Sequence, residues 1–456
     1  MNDHAFDVIV IGGGVAGLTA ATALVEQGAR VLVVEARPAL GGRASSHRDP
    51  TTGEIVDNGQ HILLGCYRES FAFLKRIGAE EAVRLQPSLE VPFVDPSGVS
   101  TKLSCPALPA PFHLLAGLME WDALRWADRL SALRMGPVIR LAQQQLRGRT
   151  DRIAASPEET VEDWLVRNGQ RRRLREMLWE PLALAALNQP ADEAAAPPFA
   201  RVLAEMFGRD PQASALGLPA RSLVETYAEP ARLYIETRGG KVRTNALATL
   251  VVDRGRAVGI RIRSGGEHRA GAVVSAVPWF ALADLFDKRP PELTDVLDHA
   301  SRVGAYPIVT VNLWFDRRVL DTPFVGLPGR AMQWIFEKRL IVGEAASHLS
   351  LVSSGASEIV SRGNGELVAL ALRELRDAVP AARDAMLRHA TVVRERRATF
   401  SLAPGEPPRP GAKTNLAGFV LAGDWTDTGL PGTIESAAAS GHAAAALALG
   451  SRPASN

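Results

Sequence analysis

The chain has 456 residues, enough for two or three domains, and its 46% hydrophobic content can fill a large core. Fifty-two Lys and Arg against 50 Asp and Glu leave a formal charge of only +2, so no overall field recruits nucleic acid. Only Cys66 and Cys105 are present, and the opening MNDHAF has neither a basic n-region nor an apolar h-region. A disulfide framework and a secretory signal are therefore not expected, and the expected compartment is the reducing cytoplasm. No apolar run reaches the roughly 18 residues of a spanning helix, so membrane contact would be peripheral, at the inner face.

In chain order, Phe6-Asp7-Val8-Ile9-Val10-Ile11 predicts a strand that runs into Gly12-Gly13-Gly14-Val15-Ala16-Gly17 at the start of a helix. Val31-Leu32-Val33-Val34 predicts a second strand ending on Glu35. In such a unit Gly12 permits the tight turn, Gly14 lets backbone approach a pyrophosphate, and Gly17 lets the helix sit close on the sheet. The first helical turn offers free N–H groups to the anion. Glu35 lies at the spacing of about 20 residues where an acid accepts ribose hydroxyls. A glycine-rich turn alone would not need the strands, the helix and the acid.

Residues from about 97 to 223 read largely as helix, rich in Leu, Ala and Arg and punctuated by Pro111, Pro137, Pro157, Pro181, Pro197 and Pro211. Within 108–147, closely spaced apolar residues including Phe112, Leu115, Trp121 and Trp126 alternate with five arginines. That composition suits either an interfacial helix against anionic headgroups or a core-packed helix with a solvated arginine face. Dinucleotide-domain character returns at 233–243, with alternating Val258–Arg263 and a buried-looking run at 272–278. Strands are expected over 307–315 and 349–353, with a helix at about 364–379. The nine histidines show no HxxxH or paired cysteine spacing, and no metal is expected.

Two further segments identify the dinucleotide. Ala36-Arg37-Pro38-Ala39-Leu40-Gly41-Gly42-Arg43 continues from the acid with a glycine doublet, and Gly423-Asp424 with Gly432-Thr433-Ile434 closes the chain. Both resemble motifs of the FAD-dependent amine oxidase and polyene desaturase superfamily. The resemblance implies an α/β fold in which a Rossmann-like FAD-binding domain is interleaved with an α+β substrate-binding domain. It places residues 1–95, 224–280 and 410–450 in the FAD domain, 96–223 in a mainly helical part facing substrate or membrane, and 281–409 in a substrate-domain sheet with helices. It further implies FAD contacts from Gly12, Gly14, Val15, Ala16, Gly17, Glu35, Ala36, Gly42, Arg43, Val242 (through its backbone), Gly423, Asp424, Gly432, Thr433 and Ile434. Neither cysteine lies in the closing motif, so the FAD is expected to be noncovalent.

The segments Asp57-Asn58-Gly59-Gln60-His61, Trp179-Glu180-Pro181-Leu182 and Ala185-Ala186-Leu187-Asn188 are similar to those of the hydroxysqualene dehydroxylases, over residues 6 to about 448. This implies reductive removal of an allylic hydroxyl from a polyprenyl alcohol, with an acid protonating the departing oxygen. Asp57 and His61 are the first candidates and Glu180 the next, with Asn188 on the same helix that the resemblance marks, Glu435 after the flavin-contacting turn and Trp425 within the closing flavin motif. Each has a plainer role open to it: turn anchor for Asp57, core histidine for His61, salt bridge for Glu180, helix end for Asn188, first-turn charge for Glu435, packing for Trp425. Two other readings stand beside the dehydroxylase. One is an FAD oxidase or desaturase acting on an amine or carotenoid precursor; the other, a redox-silent prenyl carrier, is disfavoured by intact flavin motifs. With no second GxGxxG of comparable quality, the electron donor is not legible.

Overall fold

The computed structural model describes residues 6–208, 210–345 and 347–450. Phe6–Ile11, Val15–Glu26 and Val31–Val34 form the first strand, helix and strand. Val31–Val34 is buried throughout, as a strand covered on both faces must be, and this is why it reads as an uninterrupted apolar run. The parallel ladder runs Lys241–Arg243, Val31–Val34, Phe6–Ile11, Gly266–Ser275 and Phe419–Leu421. Arg256–Ile262 and Ala248–Asp253 extend it as an antiparallel meander. The terminal helix Ile434–Gly450 lies on Val15–Glu26, close enough that a Cβ on Gly441 would stand 2.4 Å from the Ala16 carbonyl oxygen. Pieces more than 400 residues apart in sequence thus make one layer pair.

A second seven-stranded sheet runs in the order Leu387–Phe400, Ala305–Phe315, Ser347–Ser353, Trp334–Glu337, Phe324–Gly326, Glu90–Val94 and Ser100–Ser104. Its two faces follow the period of two. Val309, Val311, Ile335 and Leu351 bury against Leu367, Leu370 and Leu375 of the helix Asn364–Ala378. Ile308, Trp334, Phe336 and Val352 face the other way, into a large cavity. The expected boundary at 95/96 therefore needs correction: Glu90–Val94 and Ser100–Ser104 form a hairpin that pairs with Phe324–Gly326, and both strands belong to the substrate-side sheet.

The helical part contains Phe112–Glu120, Trp126–Ala132, Met135–Leu146, Glu180–Leu187 and Ala196–Met206. Pro197 sits in the first turn of its helix, where a missing N–H costs no hydrogen bond, whereas Pro181 lies in a run that is helical from Arg172 to Leu187, directly after the π-turn Arg175–Trp179. Residues 233–236 fall within the helix Glu229–Thr237, which precedes the edge strand Lys241–Arg243.

Candidate functional site

One cavity of about 980 Å³ joins the two units. This is at the upper end of the roughly 300–1,000 Å³ range of small-molecule sites. Its first half is the glycine cradle. A Cβ on Gly17 would fall 1.9 Å from the Gly12 carbonyl oxygen, so only glycine lets the helix begin there. Gly42 has φ +62°, and its Cβ would lie 3.1 Å from Gly14 Cα. The two loops can line a common groove only without side chains. Gly12, Gly14, Val15, Ala16, Ala36, Gly42 and Arg43 all border the cavity; Gly17 supports the turn from behind.

Glu35 is buried and also borders the cavity. One carboxylate oxygen accepts the Gly13 N–H at 2.7 Å and the other the Arg37 N–H at 2.8 Å. Each oxygen has further lone-pair capacity, so Glu35 can fix both loops and still accept from a ribose. The edge strand holding Val242 pairs with Val33, and the cavity at that end is bordered by Ala246, Leu247 and Ala248; Val242 itself is set back from it.

At the opposite end of the chain, Gly423, Asp424, Gly432, Thr433 and Ile434 border the same cavity. Arg43 donates to Asp424 and, at 2.8 Å, to the Ala398 carbonyl, while its guanidinium lies 5.4 Å from the centre of the Trp279 ring. Thr433 precedes the helix Ile434–Gly450, and its hydroxyl accepts the Ser436 N–H at 3.2 Å. The helix therefore directs its N-terminal dipole toward the cavity from a capped end.

The second half of the cavity is an apolar slot. The sheet supplies Phe93, Ile308, Trp334, Phe336 and Val352, and the helices supply Leu115, Leu118, Ile139 and Leu182. Gln60 and His61 border it among few polar groups, with Asn188, Thr399 and Glu395. His61 is reached from the cavity, deep below the outer surface. Its pKa is held below the ordinary imidazole value by burial, with Asp57 opposing and Lys338 reinforcing.

Asp57 lies behind this wall, away from the cavity. Its carboxylate accepts from Ser46 Oγ at 2.6 Å, from the Leu223 N–H at 3.1 Å and from the buried Lys338 Nζ at 3.0 Å. Lys338 also donates to Gln60 Oε1 at 2.9 Å. Asp57 and Lys338 thus brace the segment that carries Gln60 and His61. Glu180 points elsewhere, its carboxylate 3.6 Å from Arg175 Nε and its side chain 38% exposed, while its neighbours Trp179, Pro181 and Leu182 border the cavity. Burial raises its pKa, and Arg175 opposes this.

Asn188 ends its helix at φ 53° and ties three segments, donating to Tyr306 O and Thr399 Oγ1 and accepting the Gly355 N–H. Glu435 accepts the Glu69 and Ser70 N–H groups at 3.0 and 2.9 Å, anchoring the start of the helix Arg68–Arg76. Trp425 is buried, donating to Val277 O at 3.1 Å, and packs outside the cavity. Sequence reasoning did not single out Lys338, Trp279, Thr399 or Glu395. Nor did it find the grouping of Glu54, Glu344 and His348, whose ligating atoms lie within 4.8 Å of one another. There Glu54 accepts from Trp314 Nε1 and His348 pairs with Glu344 at 2.8 Å.

A family model described as flavin containing amine oxidoreductase matches residues 15–449. The chain belongs to this family. It is an FAD-dependent oxidoreductase, and the cradle between Gly12 and Arg43 with the helix start at Ile434 fits that cofactor. Among curated proteins, a hydroxysqualene dehydroxylase of Sinorhizobium fredii is 29% identical over 450 residues, covering 97% of this chain and 98% of that protein. One from Zymomonas mobilis is 27% identical, covering 96% and 98%. A probable zeta-carotene desaturase of Synechococcus elongatus is 27% identical, covering 97% and 98%. In fold, the chain resembles an oxidoreductase from Methanosarcina mazei with a TM-score of 0.73, 18% identity and coverage of 96% and 99%. Cyclohexylamine oxidase from Brevibacterium oxydans gives a TM-score of 0.71, 17% identity and coverage of 97% and 98%.

Proposed function

We propose that this amine oxidoreductase family member removes the allylic hydroxyl of hydroxysqualene, yielding squalene, with noncovalently held FAD. The observation that carries this reading is the apolar slot joined to the FAD cradle in one cavity, bounded by aromatic and aliphatic side chains from the sheet and helices. A long hydrocarbon chain is desolvated along that slot, and full burial of apolar surface stabilises its complex by roughly 25 cal/mol per Å². The first curated relatives carry the same activity in their names.

When bound and reduced, FAD supplies the hydride that replaces the departing hydroxyl at carbon. The protein's part is to position that carbon, exclude water and deliver a proton to the leaving oxygen, which departs as water. Of the three expected acids, His61 is the one a substrate in the cavity can reach. Gln60, its carbonyl held by Lys338, has its amide N–H donors to orient the same oxygen. Trp334, Phe336 and Phe93 border the slot, and aromatic rings there stabilise positive charge developing on an allylic carbon.

The test is anaerobic incubation of the chemically reduced protein with hydroxysqualene, followed by product analysis. Squalene in one equivalent per reduced flavin supports the reading; unchanged substrate overturns it. The similarity to a zeta-carotene desaturase favours a second reading, oxidation of a polyene. Rapid bleaching of oxidised flavin by squalene or phytoene without reductant would support that alternative.

A further inference from the structure

We infer that the three-helix mouth of the apolar slot docks on an anionic lipid surface and receives substrate from it. The inference rests on the reading of a water-insoluble polyprenyl substrate and names the partner of that same site.

The helix Trp126–Ala132 is built inside out. It buries Asp128, Ser131 and Ala132, whereas Trp126 is 67% exposed, Leu130 57% and the adjoining Leu133 45%. These three fall at i, i+4 and i+7, one stripe along the helix. A helix of a water-soluble surface presents the opposite arrangement. Asp128 is held inside by the Arg125 N–H and by Arg171, so the inversion is fixed by hydrogen bonds. Phe112, 61% exposed, continues the apolar surface at the start of the neighbouring helix.

This surface surrounds an opening. Pro111, Leu133, Gly136 and Pro137 are exposed and also border the cavity, so the slot reaches the exterior between them. Arg125, Arg134, Arg140 and Arg147 are exposed on the same segments. Over residues 106–153 seven arginines meet four acids, of which Asp128 is buried and already paired, leaving the rim basic. Apolar side chains that insert and arginines that stay at headgroup level are the composition of an interfacial element. Among the described residues no helix is long and apolar enough to cross a membrane, so the contact would be with one leaflet.

The experiment is vesicle flotation of the FAD-loaded protein on phosphatidylglycerol/phosphatidylcholine vesicles and on pure phosphatidylcholine. Wild type should float with the anionic vesicles, release in high salt, and show tryptophan quenching by brominated lipid that Trp126→Phe removes. The double variant Trp126→Ser/Leu130→Ser should lose at least tenfold in partition while retaining flavin and its circular dichroism. It should also retain turnover of substrate supplied in detergent. Equal binding to neutral vesicles, less than twofold loss in the double variant, or a protein dimer dissociated by these substitutions would overturn the inference. Because flotation needs no substrate, its failure is distinct from failure of the proposed reaction.

Discussion

Arg43 donates to Asp424 across 381 residues of sequence, joining the first flavin motif to the last inside the buried wall of the cavity. The Asp424 side chain is 6% exposed and that of Arg43 23%, so the pair is mostly removed from water. Arg43→Met would leave a buried carboxylate uncompensated, which typically costs about 3 kcal/mol or more. The expected outcome is a lower urea midpoint in the apoprotein and largely colourless protein after purification. A loss below about 0.5 kcal/mol would show that the pair contributes no more than a surface ion pair.

Glu35→Gln keeps the shape of the side chain but removes its charge and turns one acceptor into a donor facing a backbone N–H. Hydrogen bonds to a charged group contribute about 1.5–3 kcal/mol each. Loss of one such bond to FAD corresponds to a roughly 10- to 150-fold weaker complex, measurable by flavin titration of the apoprotein. Full flavin occupancy at the wild-type affinity would remove Glu35 from the cofactor site.

The Asp57–Lys338 pair predicts a signature of structural bracing. Asp57→Asn leaves Lys338, 3% exposed, and Lys338→Met leaves Asp57, 6% exposed, without its charged partner, and each should destabilise by about 3–5 kcal/mol. Asp57→Asn combined with Lys338→Met should recover part of that loss, since neither charge is then stranded. Urea unfolding of all four proteins measures the coupling. Additive losses would mean that the two side chains act independently.

For His61 the expected signature is in the pH profile. Burial holds its pKa below the ordinary value of about 6.5, so the imidazole is neutral at pH 7.5. If His61 is the proton donor, single-turnover reoxidation of reduced flavin by hydroxysqualene should rise about tenfold per unit as pH falls toward that pKa, then level off. His61→Gln should lose about 10²–10⁴-fold in rate at pH 6 and lose the acid limb, with flavin retained. An unchanged profile in the variant would place the acid elsewhere.

The glycine cradle bordering the cavity was legible because contiguous segments encode it: the backbone path requires Gly12, Gly17 and Gly42, and Glu35 and the helix start at Ile434 lie beside them. The strands at 307–315 and 349–353 were legible from alternation, lying within Ala305–Phe315 and Ser347–Ser353. Side-chain partners brought in by sheet pairing were not. Asp57 read as a candidate acid because its ammonium partner is 281 positions away. Glu395, in the charged run Arg394-Glu395-Arg396-Arg397, reads as solvated surface. On the long strand Leu387–Phe400, Glu395 borders the cavity while Arg394 reaches Asn364 on the other side. The hairpin Glu90–Ser104 was assigned to the wrong unit because its partner strand is more than 220 residues further on.

The ladder that seats Val8 beside Ala272 also has a consequence for how the protein is made. A ribosome adding about 5–20 residues per second needs roughly 15–50 s to deliver this second neighbour of the first strand, long after Val31–Val34 on its other side. During that interval an apolar strand and its helix wait without one wall of their core. Holdase chaperones during synthesis, and flavin available as the last helix emerges, are therefore the conditions under which soluble yield should rise.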